Sequence, residues 1–390
     1  MITKIIKLFM WLSGFYLPHF HDLNRGVSKV KSRAGKCQLI LLKFVSIAWC
    51  MLVNAACITL ILYNIQLMDP QNDEFLVMAE KVWALLPLLG SSITSAFFYI
   101  RRAKWRWILS AMDRMIITPE KEGSSFTCTR AAIQHVLLGI LFFGSFYFTS
   151  VELVSRELLF LHIVLFHVEI CYEGIVYMVT GFTFSVLVEV CTAKCELLAK
   201  NWSTDAITRY RYFPHRLGVW EINSEIKNKL FGLEKSLLEV RQFLDVLMEV
   251  FQWPLVVANL MAIVNGVIGL FLVLDSLVNQ GTMGVRFWYS TSILIWSAFL
   301  LFIGHSAADR FNKAKQALAN SVRRFLLFQR HSSCLSLQVV AEAAQPYRFS
   351  VAEFFSLGRS SITNTMAFVL SYVFVALQFR PAQNQPTVHE

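Results

Sequence analysis

Charge is scarce in this sequence. Asp, Glu, Lys and Arg make up 16% of its 390 residues, while 56% are hydrophobic and 14% aromatic. A soluble domain carries about a quarter charged residues, so this chain has too little charge to cover a surface in water. Proline (9) and glycine (17) are also sparse beside 33 phenylalanines, which excludes collagen-like, low-complexity and disordered chains. No HExxH, GxSxG or Walker A sequence occurs, and the histidines are scattered. Cys37, Cys50, Cys57, Cys128, Cys171, Cys191, Cys195 and Cys334 form no CxxC pair. Cys191 and Cys195 lie one helical turn apart with no histidine nearby, so they are expected to be apolar fillers rather than metal ligands. No cofactor and no metal site is expected. The class that remains is an integral membrane protein.

What is present are long apolar stretches. A helix crossing about 30 Å of hydrocarbon needs about 20 such residues, and seven stretches qualify: 44–66, 82–100, 132–151, 159–188, 253–276, 287–308 and 360–379. The fourth is overlong and carries Glu169 and Glu173. The short apolar run at 8–17 lacks a cleavage pattern, so residues 1–43 are read as an uncleaved cytoplasmic segment. Thirty-two of the 36 Lys and Arg fall before span one and after spans two, four and six. Only Lys81, Arg156, Arg286 and Arg380 lie on the other side. Lys and Arg concentrate in cytoplasmic loops, so the N-terminus is placed inside and the tail 380–390 outside. The net charge of +10 then marks topology and attraction to anionic lipid rather than nucleic acid. The sequon Asn201-Trp202-Ser203 falls on the cytoplasmic side and is expected to be bare.

The cytoplasmic loop 189–252 has its own pattern. Ile226, Leu230, Leu233, Leu237, Val240, Leu244 and Leu247 alternate steps of four and three, a heptad seam leading into span five. Phe311, Ala314, Leu318, Val322 and Phe325 continue a stripe out of span six. Both spans are expected to extend as helices that pack together or against another subunit. Residues 309–359 are read as cytoplasmic anchor helices, with Gly358 breaking the last of them from span seven.

Within span seven, Asn364, Ser371 and Gln378 recur every seven residues and share one helix face, with Val375 beside them. Such a seam fits hydrogen-bonded helix packing or a water-lined path where several copies meet. The stretch Ser371-Tyr372-Val-Phe-Val-Ala-Leu-Gln378-Phe379 resembles the Thr-Tyr-five-apolar-Gln-Phe signature that closes the last helix of insect gustatory receptors. Phe354-Phe355-Ser-Leu-Gly-Arg359 is similar to the segment preceding that helix. Ser371 replaces the usual threonine and keeps the hydroxyl. The resemblance implies an all-α, seven-span receptor in the plasma membrane of a gustatory neuron. It would be a tastant-gated, non-selective cation channel, a homo- or hetero-tetramer around span seven, joined through cytoplasmic helix extensions. Gln378 and Phe379 would form the outer gate and Tyr372 would brace the helix.

The ligand would sit in the outer halves of spans two to six. There His162, Phe166, Glu169 and Glu173 share one face of span four, and intramembrane acids usually face protein or water. Trp83, Tyr147, Asn265, Asp275, Trp288 and Tyr289 fall at similar depth and suit a small organic ligand. Trp83, Trp288 and Tyr289 equally fit an aromatic belt, and Asp275 fits a solvated span end. The aromatic content leans toward bitter or aversive compounds over sugars. A G-protein-coupled receptor would need the opposite orientation, and a secondary transporter would show internal repeats. The two glutamates of span four have no nucleophile or metal set beside them, which disfavours a membrane enzyme.

Overall fold

The computed structural model describes residues 75–117, 160–212, 219–279, 285–328 and 334–378, and the single helical positions Ala55, Ile58, Thr59, Leu62, Ile140, Gly144 and Tyr147. Apart from those positions, spans one and three lie outside the described residues, as do the segment 1–43, Phe379 and the tail. The elements are α1 (Phe75–Ile100), α2 (Arg102–Ile117), α3 (Phe160–Tyr212), α4 (Val219–Asn279), α5 (Val285–Phe328), α6 (Cys334–Ala344), β1 (Ser350–Val351), β2 (Phe355–Ser356) and α7 (Arg359–Gln378). The described residues form an almost entirely helical fold. Ile226–Leu274 in α4 and Phe287–Leu327 in α5 are long and apolar enough to cross a bilayer.

Three helices outrun the hydrocarbon. α3, α4 and α5 have 53, 61 and 44 residues, or about 80, 90 and 65 Å at 1.5 Å per residue, against a core of about 30 Å. Their excess forms a cytoplasmic bundle. All seven heptad residues of α4, from Ile226 to Leu247, are buried, and so are Phe311, Ala314, Leu318, Val322 and Phe325 of α5. The two stripes meet inside the subunit. The far end of the bundle packs Trp202 of α3 edge-on against Phe325 at 5.0 Å, with Leu230, Leu233 and Val322 around them and Val339 and Ala343 of α6 closing the side.

Nearer the membrane, one ring from each neighbouring element enters a shared aromatic hub. Phe251 of α4 lies 5.2 Å from Phe98 of α1, 5.6 Å from Trp105 of α2 and 5.8 Å from Phe184 of α3. Phe349 adds edge contacts to Phe184 at 6.3 Å and to Phe311 of α5 at 5.8 Å. Inclined ring pairs at these separations contribute about 0.5–1.5 kcal/mol each beyond their buried area, so the hub ties five helices at the level where they leave the bilayer. Glycine sets the approach of the membrane halves. A Cβ on Gly90 of α1 would lie 2.5 Å from the Tyr177 hydroxyl of α3 and 2.9 Å from Val257 of α4. One on Gly269 of α4 would meet the Ser290 carbonyl of α5 at 3.3 Å. Pro254 sits inside α4 beside the hub and leaves the Val250 carbonyl without its helical donor, a place where the cytoplasmic and membrane halves can bend.

The segment before α7 corrects the expectation of continuous anchor helices. Helix α6 stops at Ala344, and residues 345–358 form a strap whose middle is a two-stranded antiparallel hairpin pairing Ser350 with Ser356 and Val351 with Phe355. Pro346 has no N–H to continue a helix. The repeated Phe349-Ser350-Val351 and Phe355-Ser356-Leu357 alternate inward and outward as strands do. The turn places Ala352 (φ 46°) and Glu353 (φ 62°) in the left-handed region, closed by the Phe354 N–H donating to the Val351 carbonyl at 3.0 Å. Positive φ at both central positions gives the turn that matches strand twist.

Candidate ion path and ligand region

Among the described residues of α7, Val369 and Val373, one turn apart, are buried, and Val369 packs over Gly266 of α4 at 3.9 Å. At 100° per residue, Asn364, Ser371 and Gln378 stand on the opposite side, and all three are exposed in the lone chain together with Val375. The Ser371 hydroxyl donates to the Ala367 carbonyl at 2.9 Å, which satisfies its proton and leaves oxygen lone pairs facing outward. Tyr372 is exposed and lies against Phe368, with ring centroids 4.5 Å apart. This ring contact runs along α7 itself. The polar seam therefore lies at the middle of a wide face of α7 that its own subunit does not cover, flanked by the exposed Phe368, Leu370, Tyr372 and Phe374.

At its inner end the helix is held by polar contacts. The Gly358 N–H donates to His305 Nδ1 of α5 at 2.9 Å, and Arg359 Nε lies 3.1 Å from Asp309 Oδ2. Ser361 donates its hydroxyl to the Ser356 carbonyl. Nearby, Arg310 pairs with the buried Glu189 of α3, an arrangement that costs about 3–5 kcal/mol if one partner is removed. Arg101 Nη1 lies 2.8 Å from Glu249 Oε1, which Lys104 shares, so the α1–α2 corner is pinned to α4 at the same depth.

The predicted ligand residues fall in the outer halves of the described helices. Trp83 lies in α1. His162, Phe166, Glu169 and Glu173 lie in the outer part of α3, and Asp275 near the outer end of α4; the side chains of these six are outside the described residues. Asn265 and Tyr289 are partly buried on α4 and α5, at the level where Gly269 brings those helices together. Trp288 is 45% exposed with its ring edge-on to Phe287, and Tyr147 is 64% exposed. These two present much of their rings outward, as aromatic-belt residues do.

Deeper, the structure contains a polar layer that the sequence analysis does not identify. Ser91, Thr94 and Ser95 of α1 and Thr180, Thr183 and Ser185 of α3 are buried, as is Asn259 of α4, whose amide donates to the Leu255 carbonyl at 2.8 Å. Ser95 and Thr180 likewise donate to carbonyls one turn back, while the Ser91, Thr94 and Thr183 hydroxyls have no protein partner. Buried hydroxyls of this kind are commonly met by ordered water. Their small size hides them in a hydropathy pattern.

No protein-family model and no curated protein matches the chain. Solved structures do. The insect olfactory receptor OR5 from Machilis hrabei superposes with a TM-score of 0.73 at 14% identity, over 96% of this chain and 97% of that chain. The same receptor in complex with eugenol superposes with a TM-score of 0.70 at 15% identity, over 97% of each chain. The chain thus has the fold of this insect olfactory receptor.

Proposed function

We propose that this chain is a subunit of a chemoreceptor channel, a tastant-gated, non-selective cation channel that assembles as a tetramer around α7. The observation that carries the proposal is the placement of Asn364, Ser371 and Gln378 on the side of α7 opposite Val369 and Val373. In a lone chain in lipid that face would leave three polar side chains in hydrocarbon, which is unfavourable. Around a fourfold axis the same face lines a hydrated path, with Gln378 and Phe379 at its outer mouth. The likeness to OR5 supports this architecture, and the Ser371–Phe379 signature favours a gustatory receptor among insect chemoreceptors.

Phe231 and Leu238 on the outer face of the α4 extension are exposed, as is Leu337 on α6. Apolar side chains in a cytoplasmic bundle suit contacts between subunits. The ligand is a small organic molecule held in the outer halves of the helices, with Glu169, Glu173 and Asn265 as polar anchors and Phe166 and Tyr289 as walls. Bitter compounds fit that chemistry better than sugars. The relative solved with eugenol bound shows that this fold accommodates a compact phenol.

Voltage-clamp recording of the expressed chain against alkaloids, phenols including eugenol, and sugars tests the proposal. Gln378→Ala is expected to change permeation or gating, and Glu173→Ala to shift the concentration dependence by about tenfold, the loss of one hydrogen bond to a charged group. Substrate accumulation without ligand-driven current would replace the channel with a carrier. Unchanged currents in both variants would remove the assigned pore and pocket.

A further inference from the structure

The strap and the start of α7 are held by a polar row on α5 that the proposed function does not yet use. His305, Asp309 and Asn312 are spaced by four and three residues, so they share one face of α5. Each grips a different part of the segment leading into α7. Asn312 makes a two-way contact, its side-chain oxygen accepting the Tyr347 N–H at 2.9 Å and its amide donating to the Tyr347 carbonyl at 3.1 Å. Asp309 pairs with Arg359 at 3.1 Å. His305 Nδ1 meets both main-chain groups of Gly358, 2.9 Å from the N–H and 3.0 Å from the carbonyl oxygen, accepting from the one or donating to the other according to its tautomer, and its ring stacks on Phe355 of the hairpin with centroids 6.4 Å apart. One turn further along α5, Lys315 donates to the Gln345 carbonyl at 2.8 Å.

Gly358 is the residue before the first turn of α7, and its carbonyl already accepts the Ser361 N–H at 3.1 Å. Its own N–H points away from the helix, where only an outside group can satisfy it. His305 is that group, and it is 2% exposed, so water does not replace it. Because α5 is one uninterrupted helix from Val285 to Phe328, displacement of its outer half reaches His305 as a rigid translation. Farther along α7, the buried side chains among the described residues are Val369 and Val373, whose apolar packing has no directional preference. The directional coupling between α5 and α7 lies at the row.

We propose that His305 is a positioning residue for the pore helix, the chief member of a row on α5 through which movement of that helix sets the position of α7. The inference rests on α7 lining the ion path. Its substitutions separate position from bulk. His305→Leu keeps volume and removes the polar atom that faces Gly358, whereas His305→Asn returns a side-chain amide able to accept the Gly358 N–H or donate to its carbonyl.

Hydrogen exchange of the purified full-length protein in lipid nanodiscs is the first arm. His305→Leu should speed exchange at Gly358 about tenfold, and His305→Asn should restore protection to within about twofold. The second arm is the resting and eugenol-evoked current, normalised to surface protein. The Leu variant should lose at least fivefold in current or gain an unregulated resting current, and the Asn variant should recover. Unchanged exchange in His305→Leu would overturn the proposal, as would an Asn variant that behaves like Leu. Faster exchange with normal gating would overturn the coupling. If the wild type carried no current at all, the channel assignment would fall by itself, and exchange would still decide whether His305 holds the helix.

Discussion

Cys191 and Cys195 show how burial fixes the chemistry of single side chains. Both thiols lie in the α3–α4–α5 bundle and are free. Burial pushes the Cys191 thiol well up, helped by Cys195, and raises Cys195 from 9.0 to about 12, with Lys315 and Lys194 opposing. With their protons held at neutral pH, both are poor nucleophiles. The Tyr347 hydroxyl is also raised, first by burial and then by its 2.8 Å hydrogen bond to Asp245. These groups keep their protons in the folded chain while the unfolded chain loses them. Their contribution to stability is therefore complete below about pH 9 and declines as pH rises toward 12. Thermal unfolding in detergent should show a falling midpoint above about pH 9, with a shallower fall in Cys195→Ala. Maleimide should label Cys191 and Cys195 at pH 8 only after denaturation; rapid labelling of the native protein would contradict the burial.

Among the elements, α4 carries the most separable information. Its heptad seam identifies the face that α3 and α5 cover, and the neighbouring Leu238 shows the other face, 53% exposed beside Leu237 at 4%. Leu244→Ala should destabilise the subunit by about 2–5 kcal/mol. Leu238→Ala should leave subunit unfolding within about 0.5 kcal/mol and weaken the tetramer instead. Chemical denaturation and light scattering in detergent distinguish the two. A Leu238→Ala variant that unfolds as readily as Leu244→Ala would mean that the exposed face is part of the subunit core. The strap was less legible. Its Phe-Ser-apolar repeat is present at 349–351 and 355–357, but strands of two residues are too short for alternation to outweigh the helical context on both sides. Ala352 and Glu353 carry none of the usual signs of a left-handed turn, since glycine or asparagine is the common choice there. The surrounding anchors at Tyr347 and Gly358 hold them in place.

For the whole molecule, the asymmetric distribution of Lys and Arg is the signal that assigns the inner and outer sides. The cytoplasmic bundle contains Asn201, which is exposed, and Trp202, which is packed into the distal core. With this orientation the sequon never meets the glycosylation machinery. Glycosidase treatment of the protein expressed in insect cells should leave its mobility unchanged, and Asn201→Gln should migrate like wild type. A glycan at Asn201 would invert the topology and with it the assignment of the outer gate.

The sequence alone determined the apolar spans, the buried seam of α4 and the polar seam of α7, because each is a periodic or compositional signal along one helix. A helix repeats every 3.6 residues whatever surrounds it, and hydrocarbon demands apolar length whatever the fold. Tertiary structure decided the rest. That Asn364, Ser371 and Gln378 face away from the subunit depends on Val369 and Val373 meeting α4 and α5. That His305, Asp309 and Asn312 act together depends on a strap some fifty residues later in the chain returning to lie along them. Spacing marks which side chains share a face, but only packing supplies the groups on the other side of it.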